Sequence, residues 1–122
     1  MDFAEIEQLL RHQKRIASLS TVAPDGTPNT AIFGSTQLRN GQLVIGLGNN
    51  RSLQNLRDNP KSSLLIVIPG DNILAFQGVR LYLECQTIED SGPILEEIRS
   101  AAVATAGRMA GKMIQHLADF TL

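Results

Sequence analysis

The chain has 122 residues, of which 43% are hydrophobic and 19% charged, and its formal net charge at pH 7 is -1. This length and balance predict one soluble globular domain with its own core, rather than a disordered chain or a membrane protein. A pI near 6.1, a single Tyr and no Trp supply neither a basic face nor an aromatic platform, so we expect no nucleic-acid partner.

The first segment, residues 2–13, predicts an amphipathic helix with an apolar stripe made by Phe3, Ile6, Leu9 and Leu10. It lacks the charged start and apolar centre of a secretory leader. No segment approaches the roughly eighteen apolar residues that cross a bilayer. We therefore expect a cytoplasmic protein with no membrane partner.

The middle of the chain predicts five strands, at residues 15–22, 29–38, 42–47, 63–68 and 74–88. The turn PDGTP and the pair Asn40-Gly41 are hairpin signals, and the run SLLIVI is typical of a strand covered on both faces. The last strand alternates, with one face made by Val79, Leu81, Leu83 and Cys85 and the other by Arg80, Tyr82, Glu84 and Gln86.

The residues after Ser91 predict a final helical stretch with Ser91 as its cap. Its apolar stripe consists of Ile94, Ile98, Ala101, Ala102, Met109, Met113 and Leu117. The small residues of AAVATAG and MAG allow close packing, and Gly107 and Gly111 could equally divide the helix in two. The pattern as a whole predicts a mainly β, α+β fold: a small antiparallel barrel with one helix between strands three and four and helices at both termini.

The most informative stretch is GLGNNRSLQNLRDNP, residues 46–60, in which a strand turns into a short helix. Gly46 and Gly48 would let a ligand approach the backbone. The first-turn N–H groups, the helix dipole and Arg51 would supply positive charge, which predicts a phosphate pocket. The alternative is a capped turn with a solvated arginine.

The ends of this short helix are also marked in the sequence. Asn49 or Asn50 would cap its start, Leu53 and Leu56 form its buried side, and Asn59-Pro60 would end it. The third glycine of a dinucleotide fingerprint is replaced by Arg51, so a Rossmann domain is not predicted.

Groups that could catalyse a reaction without a cofactor are not visible in the sequence. His12 and His116 fall in the predicted terminal helices without a partner at metal spacing, and Cys85 has no Cys or His cluster around it and is predicted to be a small buried residue. We predict neither a catalytic residue nor a metal site. A phosphate pocket without a catalytic set is best explained by a bound cofactor, and a barrel of this size fits a mononucleotide.

Residues 15–35, RIASLSTVAPDGTPNTAIFGS, and residues 46–60 followed by KSSLLIVI resemble the pyridoxamine-phosphate-oxidase-like FMN-binding split-barrel family. They are similar to its first hairpin with the xDGxP turn, its phosphate-binding helix and the strand that follows. The resemblance covers nearly the whole chain and implies a single split-barrel domain, residues 1–122. It also implies that FMN is the cofactor and that a homodimer interface holds it.

The resemblance also implies which residues contact FMN. Those matching the phosphate-binding motif are Asn49, Asn50, Arg51 and Ser52. Those lining the flavin are Thr30, Ala31, Ile32 and Phe33 on the second strand and Gly46, Leu47 and Gly48 on the third. Gln77 resembles a polar residue contributed by the partner subunit, and its alternative is an ordinary edge-strand residue.

The chain departs from the family pattern in three ways. The basic pair of the phosphate helix is reduced to Arg51, since Ser52 follows it. The Gly-x-Ala of the long strand is Tyr82-Leu83-Glu84, and the long C-terminal extension of the true oxidases is missing. We therefore do not expect pyridoxamine-phosphate oxidation.

Three hypotheses follow. The first is a small FMN-dependent oxidoreductase or electron-transfer protein, with an unknown electron donor or acceptor. The second is a non-catalytic module that stores or senses flavin, or binds another planar phosphate-bearing or haem-like ligand. The third is an empty barrel that acts through its dimer surface.

Overall fold

A computed structural model describes residues 2–122, and within that range the chain forms one seven-stranded sheet and four α-helices. The helices are α1 Phe3–Arg11, α2 Arg51–Asp58, α3 Pro93–Ala106 and α4 Arg108–Met113. The strands are β1 Ile16–Val22, β2 Pro28–Ile32, β3 Thr36–Arg39, β4 Gln42–Leu47, β5 Lys61–Ile68, β6 Gln77–Glu89 and β7 His116–Thr121. A 3₁₀ turn, Ile73–Ala75, precedes β6. None of the helices in the described range has the length and hydropathy needed to cross a bilayer.

The sheet is antiparallel throughout, in the order β2-β1-β5-β6-β7-β4-β3. β2 and β3 follow one another in the chain, yet they form opposite edges of the sheet. Three residues, 33–35, carry the chain from one edge to the other. The sheet is therefore a barrel that stays open between β2 and β3, which confirms the predicted split-barrel, α+β fold class.

The inner face of the sheet encloses the main core. Leu19, Leu64, Ile66 and Phe120 have no exposed surface there. Both short helices contribute to this core, α1 through Ile6 and Leu10 and α2 through Leu53 and Leu56. The predicted alternation of β6 is confirmed, because Leu81 and Leu83 are buried while Arg80, Tyr82 and Glu84 are exposed.

The outer face of the sheet is covered at one end. There α3 packs on β4 and β7, where Leu95 and Ile98 meet Val44 and Leu117 in a second, smaller core. On the outer face of β1, β2, β5 and β6 the apolar side chains of Ile32, Leu65 and Tyr82 stay exposed, at 70%, 39% and 73% of their surface. The sheet thus has one covered and one open outer surface.

The predicted second strand, residues 29–38, is in fact two strands. The chain leaves β2 after Ile32, and the turn is held by the Thr36 hydroxyl, which donates to the Phe33 carbonyl at 3.1 Å. The inserted helix consequently lies between the fourth and fifth strands. The sequence pattern missed the break because both halves are rich in strand-forming residues.

The predicted C-terminal helix is wrong beyond Met113. Gly107, at φ +89°, separates α3 from α4, and the chain then forms β7, so that His116 and Leu117 lie in a strand. Helical spacing matched Leu117 by coincidence, while β4 and β6 each supply a strand edge that pairs with β7. Ser91 is not the cap of α3, because Gly92 occupies that position and makes no side-chain capping bond.

Asp119, in the middle of β7, provides a test of the packing. One carboxylate oxygen is buried and has no hydrogen-bond partner among residues 2–122. Burial, and secondarily the charge of Glu89, raises the pKa of Asp119 above its ordinary value. Folding therefore favours the protonated carboxyl, and stability falls as the pH rises from the ordinary Asp value through the raised one.

We expect Asp119→Asn to raise the melting temperature at pH 7 by roughly 2–5 °C. The gain should disappear at a pH below both pKa values, where the carboxyl is protonated in the folded and unfolded chain alike. Thermal unfolding at several pH values measures this, with the exposed Glu84→Gln as the control. An equal gain at every pH would contradict the titration argument.

Candidate functional site

A cavity of about 750 Å³ lies at the split between β2 and β3. One wall comes from the end of β2 and the β2–β3 turn, and a second from the end of β4 and the residues before α2. The third wall comes from α3, α4 and the residues that follow them. Its lining residues include Ala31, Ile32, Phe33, Gly34, Ser35, Gly46, Gly48, Asn49, Asn50, Ala101, Ala102, Thr105, Ala106, Ala110, Met113 and Gln115.

The start of α2 lies beside this cavity. Asn50 caps the helix, since its Oδ1 accepts the Leu53 N–H at 2.9 Å, and Asn59 ends it, as predicted. The first two helical N–H groups, those of Arg51 and Ser52, find no acceptor within the described chain. They leave partial positive charge at this end of the helix.

Arg51 is exposed, and among residues 2–122 it forms no ion pair. It borders a smaller pocket of about 190 Å³ together with Asn29 and Asn55. Ser52 is buried, and its hydroxyl accepts a hydrogen bond from the Asn29 side-chain amide at 3.1 Å. Asn55 is also buried and donates to Thr21 on β1 at 3.0 Å, which fixes α2 against the sheet.

Asp25, in the turn between β1 and β2, is the carboxylate that competes for Arg51. The Thr27 backbone N–H bonds to Asp25 at 3.0 Å, and this bond, with a smaller contribution from the Arg51 charge, lowers the pKa of Asp25. Asp25 is therefore ionised at neutral pH. An anionic ligand that binds at Arg51 must therefore bind close to the negative charge of Asp25.

The two pockets are neighbours along β2, which is an edge strand. Asn29 borders the small pocket and Ala31, two residues along β2, lines the large cavity. At the start of α2, Asn50 lines the large cavity and the next residue, Arg51, borders the small one. The two pockets therefore adjoin both along β2 and at the start of α2.

Asn49 is held by the start of β7 rather than left free. Its amide nitrogen donates to Gln115 Oε1 at 2.7 Å, and its carbonyl oxygen accepts from His116 Nε2 at 2.7 Å. Asn49 thus shapes the turn before α2, and its side-chain amide keeps one N–H that neither of these bonds uses.

Gly46 and Gly48 leave room for other segments of the chain to pack against them. A Cβ at Gly46 would stand 2.8 Å from a methyl of Ile114, and one at Gly48 would stand 2.7 Å from the Met113 carbonyl oxygen. The Ser35 hydroxyl also accepts the Gly46 N–H at 3.1 Å and donates to the Gly46 carbonyl at 2.8 Å. The close approach that these glycines permit is made by the α4–β7 segment.

The remaining predicted site residues lie apart from the cavity. Thr30 is exposed on the outer sheet face, where its hydroxyl bonds to that of Ser20. The Leu47 side chain is buried in the main core, and its carbonyl accepts the Gln115 N–H at 2.8 Å. Gln77 begins β6, three residues after the predicted start of that strand, and is exposed beside α1 in another part of the surface.

Sequence reasoning missed several residues that shape the cavity. Arg15 and Ser35 fall within predicted strands, and Gln115 falls within the predicted C-terminal helix. The alanines of α3 and α4 belong to the small-residue stretch, which the sequence does not identify as a cavity wall. The signal present in the sequence was this local concentration of small residues, which leaves room beside a helix.

Metal and thiol chemistry find no support in the described part of the chain. No group of three or more His, Cys, Asp or Glu side chains there could hold a metal ion. Cys85 is half-buried, and burial raises the pKa of its thiol, so the thiol stays protonated at neutral pH.

Comparison with known proteins agrees with this fold. A family model described as pyridoxamine 5'-phosphate oxidase matches residues 3–122. An FMN-binding protein from Syntrophomonas wolfei subsp. wolfei has a TM-score of 0.77 and 18% identity, covering 93% of this chain and 77% of that chain. No curated protein matches the sequence.

Two further solved structures share the architecture. HutZ, the heme storage protein from Vibrio cholerae, has a TM-score of 0.71 and 17% identity, covering 98% of this chain and 87% of that chain. A putative pyridoxamine 5'-phosphate oxidase from Lactobacillus delbrueckii has a TM-score of 0.64 and 14% identity, covering 99% and 88%. At these identities the likeness shows the fold.

The packing at Gly48 leads to a test. We expect Gly48→Ala to lower the free energy of unfolding by about 1–3 kcal/mol, because the new methyl group meets the Met113 backbone. Gly34→Ala is the matched control, since a Cβ at Gly34 has no neighbour within 4 Å. Denaturant unfolding of both variants measures the difference, and equal stability of the two would show that Gly48 has no packing role.

Proposed function

The chain belongs to the pyridoxamine 5'-phosphate oxidase family, and on this premise we propose that it is an FMN-binding flavoprotein that acts as a small oxidoreductase or electron-transfer protein. FMN would be held at a homodimer interface. The observation that carries the proposal is that two pockets adjoin along the free edge of β2, one bordered by Arg51 and the other large and mostly apolar. The cytoplasm remains the predicted location.

The phosphate would bind at the start of α2. Arg51 offers a planar fork of donors, and the N–H groups of Arg51 and Ser52 point outward from the first turn. Asn29 holds the Ser52 hydroxyl in place, so the turn is already ordered before a ligand binds. With Ser52 in the place of a second basic residue, we expect moderate affinity.

The ring system would occupy the large cavity. Its wall of alanines and Met113 presents a smooth apolar surface, which suits a flat aromatic group. Bound FMN supplies hydride or single-electron transfer. The chain's own part is to bind and orient the cofactor and to exclude water, since no acid, histidine or cysteine lines the cavity within residues 2–122.

The homodimer would form through the open outer face of the sheet. Strand pairing places Ile32, Ser18, Leu65 and Arg80 in one row across four strands. Exposed apolar side chains grouped on a sheet face are typical of an interaction surface. In such a dimer Gln77, remote from the cavity of its own subunit, would serve the site of the partner.

A storage or sensing module is the alternative, and turnover distinguishes it from the redox proposal. A redox protein should accept electrons from NADH, NADPH or a reduced deazaflavin faster than free FMN does. A storage module should bind FMN without that acceleration.

Haem is another ligand that a storage module could hold. Neither His12 nor His116 lines the cavity, so a haem iron would have no imidazole ligand there within one subunit.

The phosphate end can be tested by flavin retention. We expect Arg51→Ala to weaken FMN binding about tenfold or more, because it removes a charge-assisted contact. Arg57→Ala is the matched control, since Arg57 is an exposed arginine in the last turn of the same helix. FMN fluorescence titration, with absorbance after desalting, measures retention. Wild-type protein that retains no FMN would contradict the proposal.

The proposed dimer face leads to a second test. We expect Leu65→Asp to shift the protein from dimer to monomer, because it places a negative charge among the exposed apolar side chains of this face. Val103→Asp changes a similarly exposed apolar residue, on α3, and should leave the dimer intact. Sedimentation analysis at several concentrations measures the mass. A wild-type monomer at every concentration would contradict the homodimer.

A further inference from the structure

Arg15 is the one charged side chain among the described residues that line the large cavity. It lies between α1 and β1 and is half-buried. None of the ion pairs within residues 2–122 involves it. A positive charge in a mostly apolar cavity lacks a counter-ion, and an anionic ligand would offset the cost of keeping it there.

Two hydrogen bonds hold the Arg15 guanidinium in position, and its other N–H donors remain available. Nη1 donates to the His12 carbonyl at 3.3 Å, and Nη2 donates to the Gly34 carbonyl at 3.2 Å. A guanidinium has five N–H donors, so three remain for other acceptors. Because two backbone carbonyls fix the side chain, little further ordering is needed when an anion binds.

Arg15 and Arg51 lie at opposite ends of the β1–β2 hairpin. Arg15 immediately precedes β1, while the small pocket that Arg51 borders includes Ala23, immediately after β1. A strand of seven residues separates its ends by roughly 20 Å. A phosphate bound at Arg51 therefore leaves Arg15 without a partner.

We propose that Arg15 anchors the acidic group of a second ligand, an organic carboxylate with a flat apolar body, in the large cavity. The carboxylate accepts two parallel hydrogen bonds from the guanidinium, a geometry that a neutral amide does not reproduce. In the flavin-free protein, the alanines of α3 and α4 contact the apolar body. This inference rests on the proposed function in one respect: in the flavin-loaded protein, the acid is a substrate that lies beside the ring.

The probe is benzoate, with benzamide as its neutral counterpart. Isothermal titration of flavin-free protein should show benzoate binding that weakens at least about tenfold in Arg15→Gln and by less in Arg15→Lys. Benzamide should bind weakly to all three proteins. Arg108→Gln, which changes an exposed arginine outside the cavity, should match wild type. Melting temperatures of the variants establish that each is folded.

Flavin-loaded protein supplies the second readout. Benzoate should change the FMN absorbance spectrum of wild type but not of Arg15→Gln, which should itself retain FMN. Equal binding of benzoate to wild type and Arg15→Gln, or of benzoate and benzamide to wild type, would overturn the proposal. It also fails if benzoate displaces FMN or if Arg15→Gln loses FMN as Arg51→Ala does. If wild type binds no FMN, the proposed function fails, and the titration of flavin-free protein still decides the role of Arg15.

Discussion

The missing hydrogen-bonded contact between β2 and β3 determines how the rest of this structure is arranged. Had the two edges paired, the sheet would be a closed barrel with its polar backbone groups satisfied and no room beside them. Instead the β2–β3 turn crosses the gap. The free edges of β2 and β3 must then be covered by other parts of the chain or take part in binding. The cavity, the start of α2 and the Arg15 side chain all lie along this opening.

Small residues set the distance at which the helices cover the outer face. A Cβ at Gly111 would stand 2.5 Å from a methyl of Val103, so glycine there lets α4 lie against α3. Gly46 and Gly48 likewise allow the α4–β7 segment to lie against β4. Close backbone approach and the short alanine side chains together leave a smooth-walled space at the split, so one compositional feature shapes both the packing and the cavity.

Sequence patterns among neighbouring residues correctly predicted the elements that depend only on neighbouring residues. β4 has the predicted bounds, the β6 faces alternate as expected, and Asn50 caps α2. β7 was missed because its strand character comes from pairing with β4 and β6, which lie far away in sequence. The same holds for the site: the motif around Arg51 is contiguous, whereas Arg15 meets Gly34 across nineteen residues, a contact that only the folded chain makes.

The position of β7 has a consequence for how the chain folds. It follows the other six strands in sequence, yet it lies between β4 and β6, and Leu43 of β4 pairs with Phe120. Until β7 is added, β4 and β6 each have an unpaired edge and part of the core is open to water. Such long-range pairing slows folding and exposes a nascent chain to aggregation. Pairing of β7 is therefore the step that joins the two halves of the sheet and closes the main core.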